Sequence, residues 1–255
     1  FDRHFSWPRL GPILTHNPGP RLRAFLKEND VKENEADATL ADDWGSIPRL
    51  LLPLHTSRVA RHLLAVLDTL ARRRDKTGWI EKTPRHLRYV PWLERLCPGR
   101  VDFVHVIRDG LETVASLHRA SAHWERQYGV AECVRRWNRD VAFSLARRTS
   151  PRDHFVVYEQ LTDDPETVLR RLCHDLDLPW QAEIPARYET GARAVVTDGE
   201  SWKAKVGGPI RRSGSSDRTL TPAQREQARA GLRHDLYARV VEHLKATDET
   251  RPVAR

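Results

Sequence analysis

FVHVIRDGLETVASLH, residues 103–118, passes from an apolar run into a helical pattern across Arg108-Asp109-Gly110. Residues 101–107 read as a buried strand, and 111–124 place apolar residues at the spacing of an amphipathic helix. On the residues alone two readings of the junction stay open. One is a tight turn with a surface ion pair between Arg108 and Asp109. The other is a phosphate held by the Arg108 guanidinium, by free N–H groups of the helix start and by Ser116, eight residues after the arginine on the expected face.

Working outward, the same alternation recurs. Residues 56–74 read as a helix and 78–84 (GWIEKTP) as a short strand stopped by Pro84. A helix is expected over 85–97 and another over 131–148. Residues 154–161 (HFVVYEQL) form a further strand, and 163–178 a helix with Asp164 as N-cap and Pro165 at its first position. Residues 201–220 read as a loop and 221–244 as one final helix. Strands alternating with helices at this pitch predict an α/β protein with right-handed crossovers and a parallel sheet flanked by helices.

A chain of 255 residues with 39% apolar and 31% charged content is ordinary for a globular α/β protein. No apolar run reaches the roughly 20 residues of a membrane-spanning helix. The net charge of +8 rests on 36 arginines against seven lysines. Guanidinium forks match phosphate and sulfate oxygens, so an anionic ligand is expected. Cys97, Cys133 and Cys173 show no metal-ligand spacing and are odd in number, which predicts free thiols in a reducing cytoplasm.

Ligands of open parallel sheets bind beyond the carboxyl ends of strands. Three strand ends here carry polar residues: Glu81-Lys82-Thr83, Arg108-Asp109-Gly110 and Tyr158-Glu159-Gln160. Lys82 is suited to stabilising charge on a transferring group. RRSGSSDR, residues 211–218, is a second candidate anion cradle.

Taken together, EKTPRHLRYVPWLERLCPGRVDFVHVIRDGLETVASL, VVYEQLTDDPETVLRRLCHDLDLPW and the later SSDR loop resemble the sulfotransferase superfamily, in the bacterial branch related to the tyrosylprotein sulfotransferases. The resemblance covers roughly residues 75–245. It implies a P-loop-NTPase-like parallel sheet flanked by helices and a single sulfotransferase domain over 1–255, with residues 1–55 on the acceptor side. It implies 3′-phosphoadenosine-5′-phosphosulfate (PAPS) as co-substrate, with no metal. In its terms Arg108 and Ser116 match the pair that binds the 3′-phosphate. Lys82 matches the lysine at the transferring sulfuryl group, and Tyr158 lies in the motif close to the nucleotide. Arg211, Arg212, Ser215 and Ser216 fall in the loop that closes over it.

The Gly/Ser/Thr-rich loop that cradles the 5′-phosphosulfate in the family does not occur in the sequence. FDRHFSW (1–7) is similar to a segment that follows it, which implies that a strand, loop and helix belong ahead of Phe1. The same likeness puts Asp2 where relatives carry the general base, with His4 two residues on. A base is needed because a hydroxyl acceptor loses its proton as it attacks sulfur, and histidine has the better unperturbed pKa for that work.

The expected activity is sulfuryl transfer from PAPS to a hydroxyl on a small natural product, sugar, lipid or peptide tyrosine. Two alternatives stand beside it. A kinase-like phosphoryl transferase on the same fold would need a GxxxxGK[ST] loop, which is absent from the sequence. A nucleic-acid-binding protein would need a basic stripe with stacking aromatics, whereas the arginines are spread along the whole chain.

Overall fold

The computed structural model describes residues 5–6, 64–65, 67–82, 84–124, 126–188, 210, 214 and 216–249. Asp2, His4, Arg211, Arg212 and Ser215 lie outside the described residues, as do most of the acceptor-side region and of the 201–220 loop. The chain forms two compact units, Phe1–Arg100 and Val101–Arg255.

In the first unit, β1 (Phe5–Ser6) pairs parallel with β2 (Glu81–Lys82), Phe5 opposite Glu81 and Ser6 opposite Lys82. The strand expected over 78–84 is thus only two residues of paired backbone. Leu67 and Leu70 are buried on a helical stretch at 67–72, within the helix expected from the sequence. Asp68 between them accepts from Trp79 Nε1 at 2.9 Å and from Arg100 Nη2 at 2.8 Å. The helix expected over 85–97 divides into a 3-10 turn, Pro84–Tyr89, and α1, Val90–Leu96. Pro91 supplies the reason: it has no N–H to give to the preceding turn, so an α-helical ladder cannot run through it unbroken.

The second unit is built on β3 (Phe103–Ile107) and β4 (Asp153–Val157), parallel and in register from Phe103 opposite Asp153 to Ile107 opposite Val157. Between them run α2 (Gly110–Ser121) and α3 (Val130–Ala146). Val130, Cys133, Val134, Trp137, Val141 and Leu145 recur at three- and four-residue intervals along α3 and make its buried stripe. After β4 come α4 (Tyr158–Asp163) and α5 (Pro165–Asp175); Asp164 caps α5, its carboxylate accepting from Thr167 N at 3.1 Å. Further on lie α6 (Ser216–Thr219), α7 (Pro222–Gly231) and α8 (His234–Glu249). The α/β class, with parallel strands flanked by helices, is the one expected.

Three local expectations are corrected. The strand expected to reach residue 161 stops at Val157, because Tyr158 already begins α4. The single helix expected over 221–244 breaks at Leu232, whose ψ of 135° is extended. Asn138 of α3 takes up the backbone groups freed there, donating from Nδ2 to Gly231 O and accepting Arg233 N at Oδ1, both at 2.9 Å. The run 101–107 is not buried throughout. His105 and Ile107 point into the core, while Val104 and Val106 are 41% and 59% exposed.

Under the strands lies a buried polar cluster. His105 Nε2 donates to Asp153 Oδ1 at 2.7 Å, and its Nδ1 lies 3.0 Å from Ser144 Oγ, which donates to the Asp140 carbonyl. Arg147 closes on the same carboxylate from the other side, Nε to Oδ1 at 2.6 Å and Nη2 to Oδ2 at 2.7 Å. Burial pushes the His105 pKa down, outweighing the hydrogen bond to Asp153. For Asp153 burial raises the pKa, but the bonds from Arg147, Ser150 and His105 outweigh it and leave the carboxyl below its usual value. His243, edge-on to Phe155, is lowered by burial and by Arg148.

The sign follows from proton linkage. Histidines with depressed folded pKa values contribute stability above their unfolded pKa of about 6.5, and lose it as pH falls toward the folded value. The melting temperature is therefore expected to fall between pH 7 and 5, with a smaller slope in His105→Asn. The Asp153 contribution is expected to be lost only at pH values below about 3.8. A melting temperature that is flat from pH 7 to 5 contradicts the assignment.

Candidate functional site

The junction at Arg108-Asp109-Gly110 is fixed residue by residue. Trp137 Nε1 donates to the Arg108 carbonyl at 3.1 Å. The Asp109 N–H donates to Glu159 Oε1 at 3.1 Å, and the other oxygen of that buried carboxylate accepts from Tyr237 OH at 2.7 Å. Asp109 is the N-cap of α2, its Oδ1 accepting Glu112 N at 3.0 Å, while Thr113 Oγ1 donates to the Asp109 carbonyl at 2.8 Å. Gly110 packs closely: a Cβ there would stand 2.8 Å from Leu232 Cδ2 and 3.3 Å from Trp137 Cε2, so a larger residue needs the Leu232 side chain to move.

The Arg108 side chain leaves this turn and lies over the Tyr158 ring, Cζ 4.6 Å from the ring centroid. Its Nη2 stands 3.4 Å from Glu112 Oε2, one turn along. Glu112 Oε1 accepts from Ser216 Oγ at 2.6 Å and from Ser216 N at 3.3 Å. Ser116 is one turn beyond Glu112, half-buried on the same face of α2. Farther along that face Arg119 and His123 line an open basic hollow with His118 and Arg218.

Of the residues singled out in the sequence, Arg108 and Tyr158 are in direct contact, and Ser116 lies on the face of α2 that carries Glu112. Ser216 reaches them through Glu112. Lys82 belongs to the first unit, where its backbone pairs with Ser6. The helix start expected to offer free N–H groups is instead capped by the chain's own carboxylates, Glu112 N on Asp109 Oδ1 and Asp109 N on Glu159 Oε1. The guanidinium on its aromatic ring and the hydroxyl along α2 are therefore the groups here suited to a phosphate monoester.

The sequence pattern described as "Sulfotransferase family" matches residues 7–182. The chain belongs to the sulfotransferase family. Its members are enzymes that use PAPS. Lys82, Arg108, Ser116 and Tyr158 fall inside the matched stretch, and Ser216 falls beyond it. Among solved structures, the "Sulfotransferase Domain from the Curacin Biosynthetic Pathway" is similar at 16% identity and a TM-score of 0.47, over 82% of this chain and 76% of that one. The "Sulfotransferase Domain from the Synechococcus PCC 7002 Olefin Synthase" is similar at 17% identity and a TM-score of 0.43, over 98% and 94%. No curated protein matches the sequence.

Glu112, Trp137 and Tyr237 are residues around this junction that the sequence reading missed in this sulfotransferase family member, and Glu159, named there as part of a polar strand end, was given no role. Glu112 carried a signal, since four residues separate it from Arg108 and opposite charges at that spacing meet on a helix. Tyr237 carried none, because its partner Glu159 is 78 residues away in the chain.

Proposed function

We propose that this protein transfers the sulfuryl group of PAPS to a hydroxyl acceptor and releases adenosine 3′,5′-bisphosphate, in a single domain to which both units belong. The observation that carries the reading is Arg108, stacked on Tyr158 just before α2 and facing Glu112, one turn from Ser116 along that helix. Arg108 and Ser116 bind the 3′-phosphate, and Tyr158 holds the guanidinium flat beside the nucleotide. The acceptor oxygen attacks sulfur in line while the bond from sulfur to the bridging phosphate oxygen breaks. Lys82 balances the charge that develops on that oxygen. Asp2 or His4 takes the proton of the acceptor hydroxyl, and residues 1–55 shape the acceptor side. Arg211, Arg212, Ser215 and Ser216 belong to the segment that closes over the nucleotide.

Family membership favours this reading over a kinase-like or nucleic-acid-binding one. The pairing of the arginines agrees: Arg126, Arg136, Arg147, Arg152, Arg170 and Arg171 each meet a carboxylate of the chain itself. Cys97, Cys133 and Cys173 are free thiols, which suits a reducing cytoplasm. Among the described residues no helix is long and apolar enough to cross a membrane.

The test is a thermal-shift titration. Adenosine 3′,5′-bisphosphate, bound by the folded chain alone, is expected to add about 2.7 kcal/mol of stability at a hundred times its Kd and so to raise the melting temperature. A melting temperature that does not move at millimolar ligand overturns the assignment.

A further inference from the structure

We propose that Glu112 is a positioning residue of the nucleotide site, tying Arg108 and the Ser216 segment to the face of α2 that carries Ser116; the proposal rests on reading that face as the 3′-phosphate site. One carboxylate serves two separate pieces of chain. Its Oε2 faces Arg108 Nη2 at 3.4 Å, and its Oε1 takes both the hydroxyl and the N–H of Ser216, at 2.6 and 3.3 Å. Ser216 is 104 residues away in sequence and is buried against this contact.

A serine hydroxyl has a single proton to give. At 2.6 Å that proton lies on Glu112, and the Ser216 N–H points to the same oxygen. Ser216 therefore serves the site through Glu112, by fixing where the segment after residue 214 runs. Arg108 is restrained from two sides, by the Tyr158 ring beneath it and by Glu112 one turn along. A long guanidinium side chain held in this way gives up little further freedom when it meets a phosphate, which is how preorganisation raises affinity. The Glu112 side chain is only 22% exposed, and both its oxygens already face donors, so its charge is compensated at the place where a phosphate would approach.

The full chain is titrated calorimetrically with adenosine 3′,5′-bisphosphate as wild type, Glu112→Ala, Glu112→Gln, Ser216→Ala and the Glu112→Ala/Ser216→Ala double variant. Unliganded melting temperatures are read alongside. Glu112→Ala is expected to weaken binding on the order of tenfold, the range for a lost charge-assisted hydrogen bond. Glu112→Gln keeps an oxygen for Ser216 and is expected to recover most of the loss. The double variant is expected to bind no worse than Glu112→Ala, because residues acting through one contact are not additive.

Glu112→Ala binding within twofold of wild type, no recovery in Glu112→Gln, or full additivity in the double variant each overturns the role. If Glu112→Ala does not fold, Ser216→Ala decides. Weaker binding at an unchanged unliganded melting temperature supports the role, and unchanged binding overturns it. A wild type that does not bind the bisphosphate overturns the functional reading itself, and the role of Glu112 with it.

Discussion

Replacing Asp153 with alanine is expected to destabilise the chain by about 3 kcal/mol, the cost of breaking a buried ion pair from one side. The side chain is fully buried, and the side chains of His105 and Arg147 depend on it. His105 loses the acceptor for Nε2, and Arg147 loses both arms of its fork. The Arg147 guanidinium, 14% exposed, is left charged with little water to take the carboxylate's place. Asp153→Asn is expected to cost less, since its amide oxygen still accepts one bond. The measurement is urea unfolding at pH 7, with the bisphosphate absent so that folding is separated from binding. A loss below about 1 kcal/mol, the scale of an exposed pair, contradicts the buried-network account.

Replacing Arg108 with alanine is expected to weaken adenosine 3′,5′-bisphosphate binding by about a hundredfold, the upper part of the range for hydrogen bonds to charged groups. Unfolding in the absence of ligand is expected to change by less than about 1 kcal/mol, because the contact with Glu112 is long, at 3.4 Å, and Glu112 keeps both bonds from Ser216 when the arginine is gone. This split between large binding loss and small stability loss separates a ligand-holding arginine from a structural one. Arg108→Lys restores the charge without the planar fork or the stacking on Tyr158, and is expected to recover only part of the affinity. Binding in Arg108→Ala within threefold of wild type removes the residue from the site.

What could be read in the sequence was local. The junction at 108–110, the strand before it, the cap at Asp164 and the parallel α/β class all follow from residues a few positions apart, whose spacing and turn chemistry are set by the backbone itself. Arg108 and Tyr158 could be placed together because both stand at strand ends, and strand ends of a parallel sheet share one side. The misreadings have distant causes. Gly231 gives a local hint of the break at Leu232, but the side chain that holds it, Asn138, lies 93 residues before that glycine. Val104 and Val106 look like core residues because a run of apolar residues does not tell which of its two faces is covered. The Asp153 cluster draws on β3, α3 and β4, and its members look unrelated until the strands are in register.

The hydrogen bond from Tyr237 to Glu159 has a practical consequence. The carboxylate that steadies the Asp109 backbone also grips the last described helix, so the two ends of this unit share a single side chain. α8 is consequently a poor place to shorten the protein or to fuse a partner within its length. A cut before residue 237 would take away a support of the Arg108 turn along with the helix.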